Sequence, residues 1–189
     1  MSKILFAYHK NKNVPSLVEK RIERIEQEIL PGNIVPNALD LVIEDGVVSC
    51  IFNPVKLKQR ENKSICLGVP LHSSWWERES GNKVLEGSYA IFRDDKHFVE
   101  LQTDAVASRT IWYFLDGDKI VASNSQLAII YYLADYKFNE NVIPWMLSSG
   151  ILGPFLSWDS RIKILKPQSK LILNKDTWDL NIETEPIVF

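Results

Sequence analysis

The sequence predicts an α+β domain in which antiparallel strands form the core and a few helices pack outside them. Three observations lead there. Short apolar runs recur in pairs around turn residues, as at Glu44-Asp45-Gly46 and Arg93-Asp94-Asp95-Lys96, which is how hairpins read. Helix-period stretches are few, and they do not alternate with strands as a doubly wound sheet requires. Hydrophobic residues make up 46% of the 189, with six Trp, six Tyr and eight Phe. That suffices for a two-layer core with helices covering both outer faces, in a single domain over residues 1–189.

The elements follow in order. Ile4 to Tyr8 is apolar throughout and reads as a strand buried on both faces. After Pro15, Ser16-Leu17-Val18-Glu19 has the spacing of a capping box. It opens a helix to about Leu30 whose Leu17, Val18, Ile22, Ile25 and Ile29 share one stripe, and Pro31-Gly32 ends it. Strands are expected at Leu39 to Ile43 and Val47 to Phe52, joined by Asp45-Gly46. The basic run Lys56, Lys58, Arg60, Lys63, broken by Glu61, reads as a solvated loop or a docking patch for an acidic partner.

Further strands are expected over Ser64 to Leu71, Leu85 to Phe92, Phe98 to Gln102 and Ile111 to Leu115, then a short one ending in Ala122-Ser123-Asn124. Ser123-Asn124-Ser125 is placed to cap a helix to about Ala134, and Asn141 a second ending near Gly150, with Pro144 in its first turn. Residues 151–168 read as irregular. Lys170 to Leu173 and Leu180 to Glu183 make a closing hairpin around Asp176-Thr177.

Net charge is −2, so no overall basic field exists to hold nucleic acid. Cys50 and Cys66 lie in apolar runs without a CxxC spacing, as buried free thiols do. The apolar run after Lys3 is too short for a signal peptide or a membrane span. A reduced, cytoplasmic setting with no membrane partner is therefore expected. His9, His72 and His97 have no metal-ligand spacing, so no metal is expected. Of Asp94, Asp95, Asp104, Asp116 and Asp118, four sit in turns, where Asp is favoured for backbone reasons. Trp75-Trp76 is the oddest local feature: adjacent strand residues point to opposite faces, so one of the two is a candidate interface anchor.

From Leu85 to Leu173 the order of features is distinctive. A Leu-Glu-Gly turn leads into a strand, then come Thr103-Asp104, Ser108-Arg109, an aromatic strand and Asp116-Gly117-Asp118. Ala122-Ser123-Asn124, two helical segments and Arg161-Ile162-Lys163-Ile164-Leu165-Lys166-Pro167 complete it. This order resembles the amino-terminal, class II glutamine amidotransferase-like domain of the asparagine synthetase, β-lactam synthetase and lasso-peptide cyclase family. The first 84 residues share only the strand order and the Met1-Ser2 start. The resemblance implies a four-layer αββα sandwich of the N-terminal-nucleophile (Ntn) hydrolase type.

It also implies where chemistry would sit. Active relatives expose a second-position cysteine whose own amine, with a pKa of about 8, serves as base. Ser2 occupies that position here, and Lys3 stands where the relatives have a glycine. Glu86-Gly87 matches the Asp-Gly that holds the substrate ammonium. The Arg-Gly-Pro-Asp and Asn-Gly-Glu segments that grip glutamine have no counterpart, and Ser108-Arg109 reads as a loop anchor. The Ser-Gly-Gly-x-Asp-Ser pyrophosphate loop of the synthetase half is absent from the sequence, so ATP and Mg would belong to a partner synthetase domain and this domain needs no cofactor.

Three functions follow. The first is a catalytically degenerate scaffold, not a glutaminase on its own, whose partners are an asparagine-synthetase-like, ATP-dependent amide-forming enzyme of peptide or natural-product biosynthesis and further copies of itself in a homo-oligomer. The second is an active amidohydrolase using Ser2. The third is a stand-alone binding module using the empty cleft or the Trp75-Trp76 surface.

Overall fold

The computed structural model describes residues 2–33, 35–56, 58–71 and 86–186. In chain order its elements are β1 (Lys3–His9), α1 (Val18–Ile29), β2 (Asp40–Glu44), β3 (Val47–Phe52), β4 (Lys58–Glu61) and β5 (Ser64–Pro70). These are followed by β6 (Gly87–Asp94), β7 (Phe98–Thr103), β8 (Trp112–Leu115), β9 (Lys119–Ser123), α2 (Gln126–Leu133) and α3 (Val142–Ser149). The last are β10 (Lys163–Ile164), β11 (Ser169–Asn174) and β12 (Leu180–Thr184). The strands form two antiparallel six-stranded sheets, ordered β10-β8-β9-β1-β3-β2 and β12-β11-β7-β6-β5-β4.

The two sheets face each other. Ile4, Phe6, Val47 and Ile51 of the first interlock with Ile65, Phe92, Leu101 and Leu171 of the second. Phe6 and Phe92 meet at 6.4 Å between ring centroids. The alternate residues of the first sheet, among them Leu5, Ala7, Val48, Cys50 and Val121, are covered by Val18, Ile22 and Ile25 of α1 and Ala128, Ile129 and Tyr132 of α2. Because β1 is central and buried on both faces, it cannot alternate apolar with polar; its unbroken Ile4-Leu5-Phe6-Ala7 run follows from its place.

The expected four-layer αββα sandwich is not what forms. Of the described residues 40% lie in strands and only 17% in helices. One helical layer, α1 with α2, backs the first sheet. No described helix lies on the outer face of the second. α3 does not supply the missing layer, since Val142 is its only buried residue. A helix joins a layer only by presenting an apolar stripe to a sheet, as α1 does.

Local differences have local causes. The Ser16–Glu19 capping box does not form: Leu17 is the N-cap, with no side-chain cap, and the Val18 amide instead donates to Pro15 O at 2.9 Å. The basic run is neither a loop nor a free patch, for it contains β4. Lys58 and Arg60 both pair with Asp40 of β2, at 2.7 and 2.8 Å. Arg60 also donates to Ser49 Oγ of β3 at 2.7 Å. β4 is an edge of one sheet, and β2 with β3 an edge of the other, so these cations clamp the two sheets together.

Candidate functional site

β1 runs between β3 and β9, so the residue before it enters one end of the sandwich at mid-sheet. There Ser2, Lys3, Val55, Leu67, Ser108, Arg109, Thr110 and Asn124 line a cleft of about 470 Å³. Ser2, the candidate nucleophile, is among the lining residues.

Ser2 is only 1% exposed. Its hydroxyl donates to Asn53 O at 2.9 Å and accepts from the Val55 amide at 3.0 Å. Asn124 bridges the two ends of the neighbouring backbone: its Oδ1 accepts from the Ile4 amide at 2.8 Å, and its Nδ2 donates to Ser2 O at 3.2 Å. Asn124 therefore does more than precede α2, where the N-cap, Ser125, makes no side-chain cap bond.

The opposite wall is built on Asp104, fully buried at the end of β7. Its Oδ2 accepts from the Tyr89 amide at 2.8 Å and from the Ser108 hydroxyl in a very short bond. Its Oδ1 accepts from the Val106 and Ser108 amides at 3.0 and 3.1 Å. Burial pushes the carboxyl upward, but the bonds from Ser108, Val106 and Tyr89 outweigh it and hold the pKa below the ordinary Asp value. Ser108 Oγ in turn meets Ser88 Oγ at 2.8 Å, and Arg109 Nη1 donates to Ser88 O and Oγ at 2.9 and 2.8 Å. Gly68 makes room for that guanidinium: its φ is +113°, and a Cβ there would lie 2.8 Å from Arg109 Nη1. Ser108-Arg109 is thus an anchored loop, as the sequence suggested, and it also gives the cleft a cation.

Lys3 and Arg109 bring two positive charges to the cleft, and among the described residues no carboxylate, histidine or thiol lines it. The arrangement suits a small anion held against the apolar Val55 and Leu67. Among the described residues it offers no side-chain base for the Ser2 proton, which is given to a backbone carbonyl. Among the described residues no group of His, Cys, Asp and Glu is arranged to hold a metal ion.

Other candidates fall elsewhere. Glu86 is exposed and is not part of the cleft lining, while its carbonyl accepts from the Leu71 amide at 2.8 Å. Gly87, at φ +134°, presses against Val69 O, a backbone role. Trp75, Trp76 and His72 lie outside the described residues. His9 is buried and bonded to Tyr132 Oη at 2.8 Å, and His97 meets Asp176 at 3.4 Å. At the far end of the sandwich a second cleft is lined by five lysines and four aspartates. Its Lys63 and Lys175 are committed to Asp94 at 3.5 and 2.6 Å.

Lys3 and Asn124 line the cleft although the sequence marks them only as a replaced glycine and a helix cap. Their positions at adjacent strand ends were the available signal, and strand order was needed to use it. No protein-family model matches the chain, and no curated protein matches it significantly. No helix among the described residues is long and apolar enough to cross a membrane.

Proposed function

We propose that this chain is a catalytically silent partner domain, a scaffold for an ATP-dependent amide-forming enzyme of the asparagine-synthetase kind. The observation that carries the silent part is the state of Ser2. A serine nucleophile needs a base for its proton and a free lone pair aimed at a carbonyl. Here a backbone carbonyl takes the hydrogen and a backbone amide takes a lone pair. The partner part is supported by the order of features from Leu85 to Leu173 and is a functional analogy alone. ATP and Mg belong to the partner in this reading, as the resemblance implies.

Two measurements test it. The purified chain, with Met1 removal checked by intact mass, should release no ammonia from glutamine, with or without Ser2→Ala. When co-expressed with an asparagine-synthetase-type ligase, the chain should co-elute and raise the ligase's soluble, active yield. Glutamine hydrolysis that disappears in Ser2→Ala overturns the reading, as does separate elution with no effect on the ligase.

Lys3 and Arg109, which have no carboxylate partner among the described residues, favour a second reading, a stand-alone module binding a small organic carboxylate. Titration with hexanoate and with neutral hexanamide would separate the two. A module binds the acid alone and loses at least tenfold with Arg109→Met, since charge-assisted bonds contribute ~1.5–3 kcal/mol. A silent scaffold shows neither preference.

A further inference from the structure

Asn141 to Trp158 is a run of eighteen residues without a charge, yet it lies at the surface. Leu147 is 84% exposed, Ile151 61% and Phe155 59%, and Ile143, Trp145 and Met146 are each more than a third exposed. Ile143, Met146 and Leu147 follow the spacing that puts side chains on one helical face. The loop after α3 is fastened to that helix. A Cβ at Gly153 would come within 2.5 Å of the Trp145 ring, so the loop backbone lies directly on the indole. α3 and its loop are therefore one surface.

An apolar area of this size needs a reason. Those six side chains expose roughly 600 Å², at the top of the range for a monomer's largest patch and near the ~800 Å² that each side of a standard interface buries. The rim adds a charge requirement. Phe155 and Asn141 share a groove of about 380 Å³ with Lys163 and Lys166, and Lys166 Nζ lies 5.8 Å over the Phe155 ring. Neither lysine has a carboxylate partner among the described residues, the nearby Asp135 and Asp159 both being paired with Arg161. An apolar centre beside two cations that lack a described carboxylate partner is complemented by an apolar stripe flanked by acids.

We infer that this face docks an amphipathic helix of another protein or domain, its apolar stripe on Trp145, Leu147, Ile151 and Phe155 and its acidic flank toward Lys163 and Lys166. The inference deepens the scaffold reading and rests on it in supposing a partner. Helix-in-groove recognition of this kind uses apolar anchors for affinity and flanking charge for choice.

The test uses two fluorescently labelled helical peptides with the same leucine stripe, one flanked by glutamate and one by lysine, read by anisotropy against the full chain. The glutamate peptide is expected to bind at least tenfold more tightly. Leu147→Asp should weaken it at least tenfold while leaving the circular dichroism and urea midpoint unchanged. Lys163→Glu with Lys166→Glu should reverse the preference. Equal binding of the two peptides, no binding, or indifference to Leu147→Asp overturns the proposal. Light scattering and phosphatidylcholine/phosphatidylserine vesicles complete it. A dimer, or lipid binding, abolished by Leu147→Asp would assign the face to a second copy or to a bilayer, and overturns it equally. Ser2-dependent glutamine hydrolysis would sink the silent-scaffold reading while leaving a positive peptide result intact, so the two failures are distinguishable.

Discussion

Asp104→Asn isolates the post on which one wall of the cleft stands. The carboxylate receives two donors on each oxygen: the Tyr89 amide and Ser108 hydroxyl on one, and the Val106 and Ser108 amides on the other. An asparagine keeps one acceptor oxygen, so whichever way the amide lies, its NH2 faces two donors. The least costly orientation keeps the Tyr89 amide bonded, because Tyr89 is fully buried and has no water to turn to. The Val106 and Ser108 amides sit in an exposed loop and recover part of their loss from solvent.

With ~1–3 kcal/mol for each buried group left unsatisfied, the cost is about 2–3 kcal/mol for Asn and about 3–5 for Ala. At this chain length that lowers Tm by roughly 5–10 °C for the Asn variant. Urea unfolding at pH 7 should show a lower midpoint with an unchanged slope. The difference should narrow in acid. The folded pKa of Asp104 is depressed, so its stabilisation is complete above the unfolded value of ~3.9 and is lost as pH falls through the lower folded value. An Asn variant within about 0.5 kcal/mol of wild type at pH 7 would falsify the account of this network.

Three other expectations concern neighbouring parts of the molecule. Gly68→Ala puts a Cβ 2.1 Å from Ser88 O at a φ that L-residues avoid, so β5 and β6 must shift beside Arg109. A loss of at least ~2 kcal/mol by urea unfolding is expected, and a wild-type midpoint would contradict it. The His9 pKa is lowered, first by burial and then by the charge of Lys119. The unfolded chain therefore takes up that proton first, so His9's share of stability is full above about 6.5 and is lost as pH falls through the folded value. His9→Gln should flatten the drop in urea midpoint between pH 7.5 and pH 5; an equally steep drop in the variant would rule this out. Burial pushes the Cys66 thiol up to about 12 and raises Cys50 as well. Both should resist iodoacetamide in the native protein and react in urea; alkylation at the rate of a free thiol in the native state would contradict their enclosure.

Much of this molecule was legible from neighbouring residues. Asp45-Gly46 makes the β2–β3 turn, with Asp45 and Gly46 both at positive φ, and the closing hairpin forms as β11 and β12 around Asp176-Thr177. Of the α1 stripe, Val18, Ile22 and Ile25 are buried as its period required, Ile29 is half-buried, and Leu17, outside the helix as its N-cap, is exposed. Turn chemistry and side-chain period act within a few residues, so a linear text carries them. Lys58 and Arg60 looked like a basic run because Asp40, their partner, lies on another strand. The cleft was legible only at Ser2: Asn53 lies 51 positions away and Asn124 122 away from it.

The order of residues alone thus determined that the chain would make hairpins, one amphipathic helix, a doubly buried first strand and two buried thiols. Only the tertiary structure decided that the helices form one layer rather than two and that Ser2 is bound on both sides of its oxygen. It likewise decided that α3 turns its apolar side chains outward. Local period shows that a segment is apolar, whereas the sheet or solvent it meets depends on strand order and on contacts between residues remote in sequence.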